Sequence, residues 1–309
     1  MSKRKRWGPL VLGLLALAPS ARGADRDGTR VTESARNRPG WKLVWADEFN
    51  GKGAPDSRSW SYHVGNGFNP GSGSFMGWGN NELEWYRPES CTRAGGYLVI
   101  RADYDEAPRT FAGREWPVRS CRITTQGKRS WTYGRIEARI AVPNAAGAWP
   151  AFWMMGTSSG GTTTLVRQPP PDAYDSMASQ WPSCGEIDIL EKRDYESWNV
   201  NNAFWDRRTG VFPFTDGQTA SFASTTDVGD QSQFHLYAIE WDATGVKWFV
   251  DGRQTHALDT TPETLEEFQQ PFYLIFNLAV GGNFPRLQPD RAEFPLVMRV
   301  DYVRVYRKR

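Results

Sequence analysis

The chain has 309 residues, with 37 Lys or Arg against 35 Asp or Glu, so its formal charge is +2. Only three Cys are present, which excludes a disulfide-rich scaffold. No basic stripe follows the N-terminus, so we expect no nucleic-acid partner. The length suits one large domain, and its 15 Trp, 16 Phe and 11 Tyr indicate an unusually aromatic core or cleft.

The first 23 residues have the layout of a secretory signal peptide. A basic segment at 3–6 precedes the apolar run "PLVLGLLALAP", and small residues near Gly23 suit cleavage. The apolar run is too short for a membrane span. We therefore predict a secreted protein, extracellular or periplasmic, with no membrane segment in its mature form. Cleavage would remove five basic residues and no acidic one, which turns the net charge to about −3.

The rest of the chain predicts an all-β fold. Residues 24–39 are polar and are expected to form a flexible leader, and 40–309 a single domain. Alternating β-branched and aromatic residues predict strands at, in order, "WKLVWADEF", "YLVIRAD", "YGRIEARIAV", "FHLYAIEW", "VKWFVDG", "FYLIFNLAV" and "MRVDYVRVY". One helix is predicted, "TPETLEEFQQ", with Thr261 as its cap and Pro262 in its first turn. These elements favour a jelly-roll sandwich of two antiparallel sheets.

Two loops and the cysteines complete the outline. The segment 67–81 is rich in Gly and Asn, and the segment 157–180 is long, polar and runs into an acidic stretch. A loop of that length is usually functional or disordered, and its position favours a cleft wall. Cys91 and Cys121 are candidates for a disulfide after export, which would leave Cys184 unpaired, but the sequence leaves the pairing open.

The acidic stretch "GEIDILE" is the most informative motif. On a regular strand Glu186 and Asp188 share one face, and Glu191 would point into the core. A buried unpaired carboxylate is costly. A one-residue β-bulge at Ile189–Leu190 resets the phase, so that the three acids share a face and the apolar residues are buried. Bulges of this kind often lie beside active sites.

Three carboxylates on one face fit glycoside hydrolysis, which needs a general acid and a nucleophile or base. The alternatives are a solvated strand face and a calcium cluster, although calcium loops supply ligands from turns. The sequence lacks H-E-x-x-H, Cys/His clusters and G-x-S-x-G, so zinc and serine-hydrolase chemistry are poorly supported. No catalytic cofactor is expected.

The motif "GEIDILE" closely resembles the E-x-D-x-x-E signature of glycoside hydrolase family 16. The blocks "GWGNNELEWY", "ITTQGKRSWTYGRIEARI", "WPAFWMMG" and "FYLIFNLAVGGNFP" are similar to those of its bacterial laminarinase-type members. The resemblance covers about residues 40–308. It implies a jelly-roll with a substrate groove across a concave sheet, and retaining hydrolysis of a β-linked polysaccharide. We expect a β-glucan as the only partner and a monomeric enzyme.

The resemblance also implies roles for individual residues. Glu186 matches the nucleophile, Glu191 the acid/base and Asp188 the assisting carboxylate between them. Positions matching sugar-binding residues are Asn80, Arg122, Trp149, Trp153, Trp181 and Trp205. Positions matching a structural calcium site are Glu48, Gly96 and Asp301, the first two largely through backbone carbonyls.

The chain departs from the family pattern beside the cleft. Laminarinase-like members usually carry a His just before a Trp after the catalytic strand, but here the segment reads "VNNAFWD", with Phe204 in that place. Phenylalanine cannot donate a hydrogen bond or a proton. The preferred reading is a β-1,3-glucanase. Mixed-linkage glucan or an agarose-type galactan as substrate, transglycosylation, and a non-catalytic glucan-binding protein stay open as alternatives.

Overall fold

The computed structural model describes residues 37–68, 77–157, 181–207 and 219–309. The predicted signal peptide, most of the leader, residues 69–76 of the first loop and residues 158–180 of the second lie outside the described residues. Within these ranges the chain forms seventeen strands and a few short 3₁₀ or π turns. None of its helices there has the length and apolar character needed to cross a membrane.

The larger of two sheets has ten strands in the described ranges. They are β1 (Trp41–Asp47), β3 (Glu84–Tyr86), β4 (Cys91–Ala94), β5 (Tyr97–Phe111), β6 (Arg114–Ser120), β8 (Gly134–Ala141), β13 (His235–Asp242), β14 (Gly245–Val250), β15 (Arg253–Asp259) and β17 (Leu296–Lys308). The spatial order is β15-β14-β13-β8-β17-β5-β6-β3, with β1 also on β17 and β4 on β5. The pairing is antiparallel as predicted, except that β3 runs parallel to β6.

The smaller sheet has seven strands and carries the acidic motif. They are β2 (Ser61–His63), β7 (Arg122–Thr124), β9 (Ala148–Gly156), β10 (Glu186–Glu191), β11 (Trp198–Asp206), β12 (Thr219–Asp227) and β16 (Phe272–Val280). Their order is β12-β11-β10-β9-β16-β7-β2, all antiparallel. The acidic strand β10 therefore lies between β9 and β11, inside the sheet rather than at an edge.

The hydrophobic core lies between the two sheets. Alternate residues of each strand point inward, for example Ile136 and Ala138 of β8 against Phe152 and Met154 of β9, and all four are fully buried. The other face of the seven-stranded sheet carries, among the described residues, a small second cluster of Met155, Cys184, Tyr273 and Ile275. The predicted two-sheet jelly-roll architecture is confirmed.

The predicted helix is wrong in its type and cap. The segment forms an irregular 3₁₀ helix, Glu263–Gln269, with a kink at Leu265. Thr261 does not cap it, because its hydroxyl and backbone N–H bind Asp259 Oδ1 at 2.7 and 2.9 Å. Pro262 is the residue before the helix rather than part of its first turn. The hydroxyl of Thr261, which was expected to cap the helix, is therefore used in the turn after β15.

Cys91 and Cys121 form a disulfide, and Cys184 is a free, buried thiol. Cys91 begins β4, and Cys121 lies in the crossover from β6 to β7. The bond thus ties the ten-stranded sheet to the segment that enters the seven-stranded sheet. It settles the pairing that the sequence left open.

Candidate active site

Strand β10 contains the predicted bulge. On the β9 side, Asp188 pairs with Trp153 and Leu190 pairs with Phe152, so Ile189 is the extra residue. Ile189 and Leu190 are both buried in the core. Glu191 returns to the face of Glu186 and Asp188, and all three acids line one groove. The prediction of a phase-resetting bulge is confirmed.

The bulge leaves backbone carbonyls that the sheet ladder does not bind, and two side chains donate hydrogen bonds to them. Trp248 of β14, from the opposite sheet, donates its Nε1–H to the carbonyl of Asp188 at 2.9 Å. Asn201 of β11 donates Nδ2–H to the carbonyl of Ile189 at 2.7 Å. Sequence reasoning missed both residues. The signal available was an Asn at a buried strand position, where Asn is unfavourable without a partner.

We expect Asn201→Leu to destabilise the bulge. The substitution conserves volume but leaves the Ile189 carbonyl without its short hydrogen bond, which costs about 1–3 kcal/mol. Glu191 follows the bulge directly, so the enzymatic rate should fall by at least about tenfold as its position loosens. Urea unfolding and initial rates check both effects.

Asn199→Leu is the matched control. Asn199 is equally buried but reaches the same carbonyl at only 3.4 Å. Its replacement should affect the rate less. Equal losses of rate in the two variants would show that Asn201 has no special role in holding the bulge.

The three acids lie in a groove of about 580 Å³ across the face of the seven-stranded sheet opposite the main core. Five of the six predicted sugar-binding residues line it with them: Asn80, Arg122, Trp149, Trp153 and Trp181. Further lining residues that sequence reasoning did not assign are Trp78, Glu82, Asn202, Asn277, Asn283 and Phe284. The combination of indole and amide groups with an acidic floor is typical of a site for a hydroxyl-rich ligand.

Two of the predicted tryptophans hold the outer carboxylates. Trp181 donates Nε1–H to Glu186 Oε2 at 2.8 Å, and the residue is 41% exposed. Trp149 donates Nε1–H to Glu191 Oε1 at 2.9 Å, and Asn202 donates to the other oxygen of Glu191. Each acid is therefore oriented by an indole that also presents an aromatic surface to the groove.

A cationic stack forms part of the groove wall. The guanidinium of Arg122 lies 4.7 Å from the ring centroids of both Trp78 and Trp153. Arg122 is buried, and such stacking holds a cation rigidly in a partly dry site. Trp153 also donates Nε1–H to Asn277 Oδ1 at 2.7 Å. Trp153 is thus a groove residue and not a member of the main core.

Trp205 does not belong to the groove, and this prediction is corrected. On β11 the side chains alternate, so Asn202 and Phe204 face the groove while Trp205 faces the other way. Trp205 packs against the main core, with its ring edge-on to Phe268 at 5.9 Å. Phe204 lies opposite Glu186 in the β10–β11 ladder and is 5.7 Å from the ring of Trp181.

The calcium site expected at Glu48, Gly96 and Asp301, the first two largely through backbone carbonyls, stays a prediction. Asp301 is the one carboxylate that this site would use through its side chain, and it forms an ion pair with Arg139 at 2.8 Å. Both carboxylate oxygens of Glu48 bind Arg304 at 2.9 Å. Within the described ranges no group of three or more Asp, Glu, His or Cys side chains is arranged to hold a metal. Two guanidinium groups already neutralise these acids.

Burial and mutual repulsion keep protons on the acidic groups of the groove. Burial, followed by the charge of Glu191, raises the pKa of Glu186 to about 7. Burial raises the pKa of Glu191 to about 7 against the opposing hydrogen bonds from Trp149 and Asn202. Burial and both neighbouring glutamates raise the pKa of Asp188 well above its usual range. Near neutral pH the group therefore holds protons that separate carboxylates would have lost.

This arrangement predicts a pH-dependent stability effect for Glu191→Gln. The folded protein binds the Glu191 proton up to about pH 7, whereas the unfolded chain loses it near 4.5. Stability therefore falls as the pH rises through this window and stays reduced above it. A neutral Gln removes the cost of ionising a buried carboxyl. The free energy of unfolding of the variant, relative to wild type, should therefore rise by up to about 3 kcal/mol between pH 4.5 and pH 8.

Urea unfolding at the two pH values measures this difference. The exposed Glu89 provides the control, since Glu89→Gln should show no comparable change between the two pH values. A relative stability of Glu191→Gln that is equal at both pH values would contradict the expected penalty.

The fold and the acidic groove together define a jelly-roll glycoside hydrolase. Among solved structures, the laminarinase catalytic domain from Thermotoga maritima matches with a TM-score of 0.69 at 35% identity, covering 87% of this chain and 99% of that one. A beta-glucanase from Rhodothermus marinus is 37% identical over 280 residues, which cover 87% of this chain and 86% of that protein.

The chain is also similar to other curated proteins and to one family model. A keratan-sulfate endo-1,4-beta-galactosidase from Sphingobacterium multivorum is 30% identical, with 99% of this chain and 68% of that protein covered. The chain spans only 34% and 38% of two other curated relatives, which are longer. A family model described as beta-glucan synthesis-associated protein SKN1/KRE6/Sbg1 matches residues 22–166 and 189–309. The chain belongs to glycoside hydrolase family 16, in its laminarinase-like branch.

Proposed function

We propose that the protein is a secreted endo-acting β-1,3-glucanase that cleaves its substrate with retention of configuration. The observation that carries this proposal is the bulged strand β10, which presents Glu186, Asp188 and Glu191 to one aromatic groove. Similarity to a beta-glucanase and a laminarinase supports the choice of glucan. The signal-peptide layout of residues 1–23 supports secretion.

The first half of the reaction forms a covalent adduct. Glu186, oriented by the N–H of Trp181, attacks the anomeric carbon as its carboxylate. Glu191, held by Trp149 and Asn202, gives its proton to the leaving glycosidic oxygen. Because the two acids repel each other, ionisation of one favours the protonated form of the other, which is the charge state that this step needs.

The second half releases the sugar. Glu191, now ionised, takes a proton from water, and the resulting nucleophile displaces Glu186 from the anomeric carbon. Asp188 hydrogen-bonds to Glu186 and carries a proton of its own, so it can stabilise the carboxylate as it leaves. Two displacements restore the original configuration. Both roles are filled by protein carboxyl groups, so we propose that no catalytic cofactor takes part.

A galactan-cleaving enzyme with the same chemistry is the second candidate. Phe204 presents an apolar ring beside Glu186, and one relative of the chain is an endo-1,4-beta-galactosidase. Phe204 cannot hydrogen-bond to a sugar hydroxyl. The position therefore favours a sugar unit that has no hydroxyl on the edge facing this ring. The substrate preference of this groove can therefore differ from that of relatives with a polar residue there.

Product analysis on a panel of polysaccharides tests the proposal. The panel contains laminarin, mixed-linkage β-glucan, agarose and keratan sulfate. We expect a ladder of oligosaccharides from laminarin, whose new reducing ends appear first as the β-anomer by NMR. Cleavage of galactans alone would favour the second candidate. Binding of laminarin with no cleavage of any polymer would instead indicate a non-catalytic glucan-binding protein.

A further inference from the structure

Glu82 is a fourth carboxylate in the groove, and the reaction above gives it no role. It follows the irregular turn Gly77–Asn81 and forms an isolated bridge with Gly281, just beyond the end of β16. Its residue is only 4% exposed, yet it lines the groove together with Asn80 and Arg122. Its side chain is therefore at the floor of the groove and not on an open surface.

The carboxylate of Glu82 accepts hydrogen bonds from neighbouring side chains. Asn80 donates Nδ2–H to Oε1 at 3.2 Å, and Tyr86 donates its hydroxyl to Oε2 at 3.1 Å. The fully buried Glu84 has its pKa raised well above the usual range by burial and by Glu82, so it stays neutral and also hydrogen-bonds to Glu82. Of these two glutamates, only Glu82 lines the groove.

A chain of hydrogen bonds connects Glu82, through Tyr86 and Asn277, to Trp153 in the groove wall. Tyr86 Oη accepts from Asn277 Nδ2 at 3.2 Å, and Asn277 also accepts from Trp153. Asn277 pairs with Ala151, which pairs with Glu191. Asn277 thus lies two strand spacings from Glu191, roughly 10 Å. Because Tyr86 links Glu82 to Asn277, we infer that Glu82 faces a sugar unit next to the one that is attacked.

We propose that Glu82 is a substrate-binding residue that accepts hydrogen bonds from hydroxyl groups of this neighbouring sugar unit. Each carboxylate oxygen has two lone pairs, so these donors leave acceptor capacity for a ligand in the groove. Bonds to a charged acceptor are stronger than neutral ones, and a buried acceptor that stays unpaired is costly. Glu82 therefore favours a unit that presents hydroxyl donors at this point. The inference rests on the proposed hydrolysis of a polysaccharide.

Glu82→Gln tests this role through kinetics on whichever polymer the wild type cleaves fastest. We expect KM to rise about tenfold and kcat to change by less than about threefold, because the lost contact binds substrate and transition state alike. The charge of Glu82 also raises the pKa of Glu191. The upper limb of the pH profile of kcat/KM should therefore move to lower pH in the variant.

Glu267→Gln is the matched control, because Glu267 is buried to the same degree but does not line the groove. It should change the melting temperature without changing KM. An unchanged KM in Glu82→Gln, or the same rise in KM in both variants, would overturn the proposal.

A binding measurement keeps the test independent of catalysis. Calorimetry compares Glu186→Ser with Glu186→Ser/Glu82→Gln on oligosaccharides of increasing length. The affinities should diverge by about tenfold once the oligosaccharide is long enough to reach Glu82, and agree below that length. Equal affinities at every length would overturn the proposal for Glu82. A wild type that binds but does not cleave would refute the enzymatic function and leave this binding test valid.

Discussion

Glu186→Ser should abolish polysaccharide cleavage, with the rate falling by about four orders of magnitude or more. The serine hydroxyl is too short and too weakly nucleophilic to attack the anomeric carbon in place of the carboxylate. The fold should survive, because the variant removes a buried carboxyl whose pKa is raised to about 7 by burial and by Glu191. Reducing-end assays measure the rate, and calorimetry with oligosaccharides measures the retained binding.

Two further measurements assign the loss to nucleophilic attack. With a β-glycosyl fluoride and added azide, the space left by Glu186 should admit the azide anion. A single attack then gives the inverted α-glycosyl azide. The exposed Glu89→Ser is the control and should keep the wild-type rate. A Glu186→Ser protein that fails to fold would mean that the acid is structural, and absence of the α-azide would argue against its role as nucleophile.

The fold was predictable where a single strong pattern decided it. The run "FYLIFNLAV" coincides with β16, Phe272–Val280, because a continuous apolar strand between turn residues is buried on both sides. The bulge in β10 was predictable for an energetic reason. Any regular strand would have buried Glu191 without a partner, and the chain avoids that cost.

The groove was less predictable where a position depends on contacts between distant segments. Trp205 looked like a sugar-binding residue, but the phase of β11 is set by pairing with β10, and it sends Phe204 to the groove instead. Asn201 and Trp248 support the bulge from β11 and β14, and no local pattern in either strand indicates that task. Glu82 had the signal of a charged residue beside Asn80 in a Gly- and Asn-rich loop, but its buried partners come from tertiary packing.

Replacing Glu191 by Ala should give the second large loss, and its size should depend on the leaving group. For a natural glycosidic bond the leaving oxygen needs a proton, so the rate should fall by about 10³-fold or more. For an activated aryl glycoside, whose leaving group needs no proton, formation of the adduct should stay fast and its hydrolysis should become slow. A burst of released phenol in stopped-flow absorbance, followed by a slow steady state, would show this.

Azide separates the role of Glu191 from that of Glu186 by stereochemistry. In Glu191→Ala the adduct on Glu186 still forms, and azide then enters from the face that Glu191 vacates, so the product is the β-glycosyl azide of retained configuration. The upper limb of the pH profile should also disappear, because the group with its pKa raised to about 7 has been removed. An α-azide from this variant would reverse the assigned roles of the two acids. A rate loss equal for natural and activated substrates would contradict the role of Glu191, since only a proton donor makes the loss depend on the leaving group.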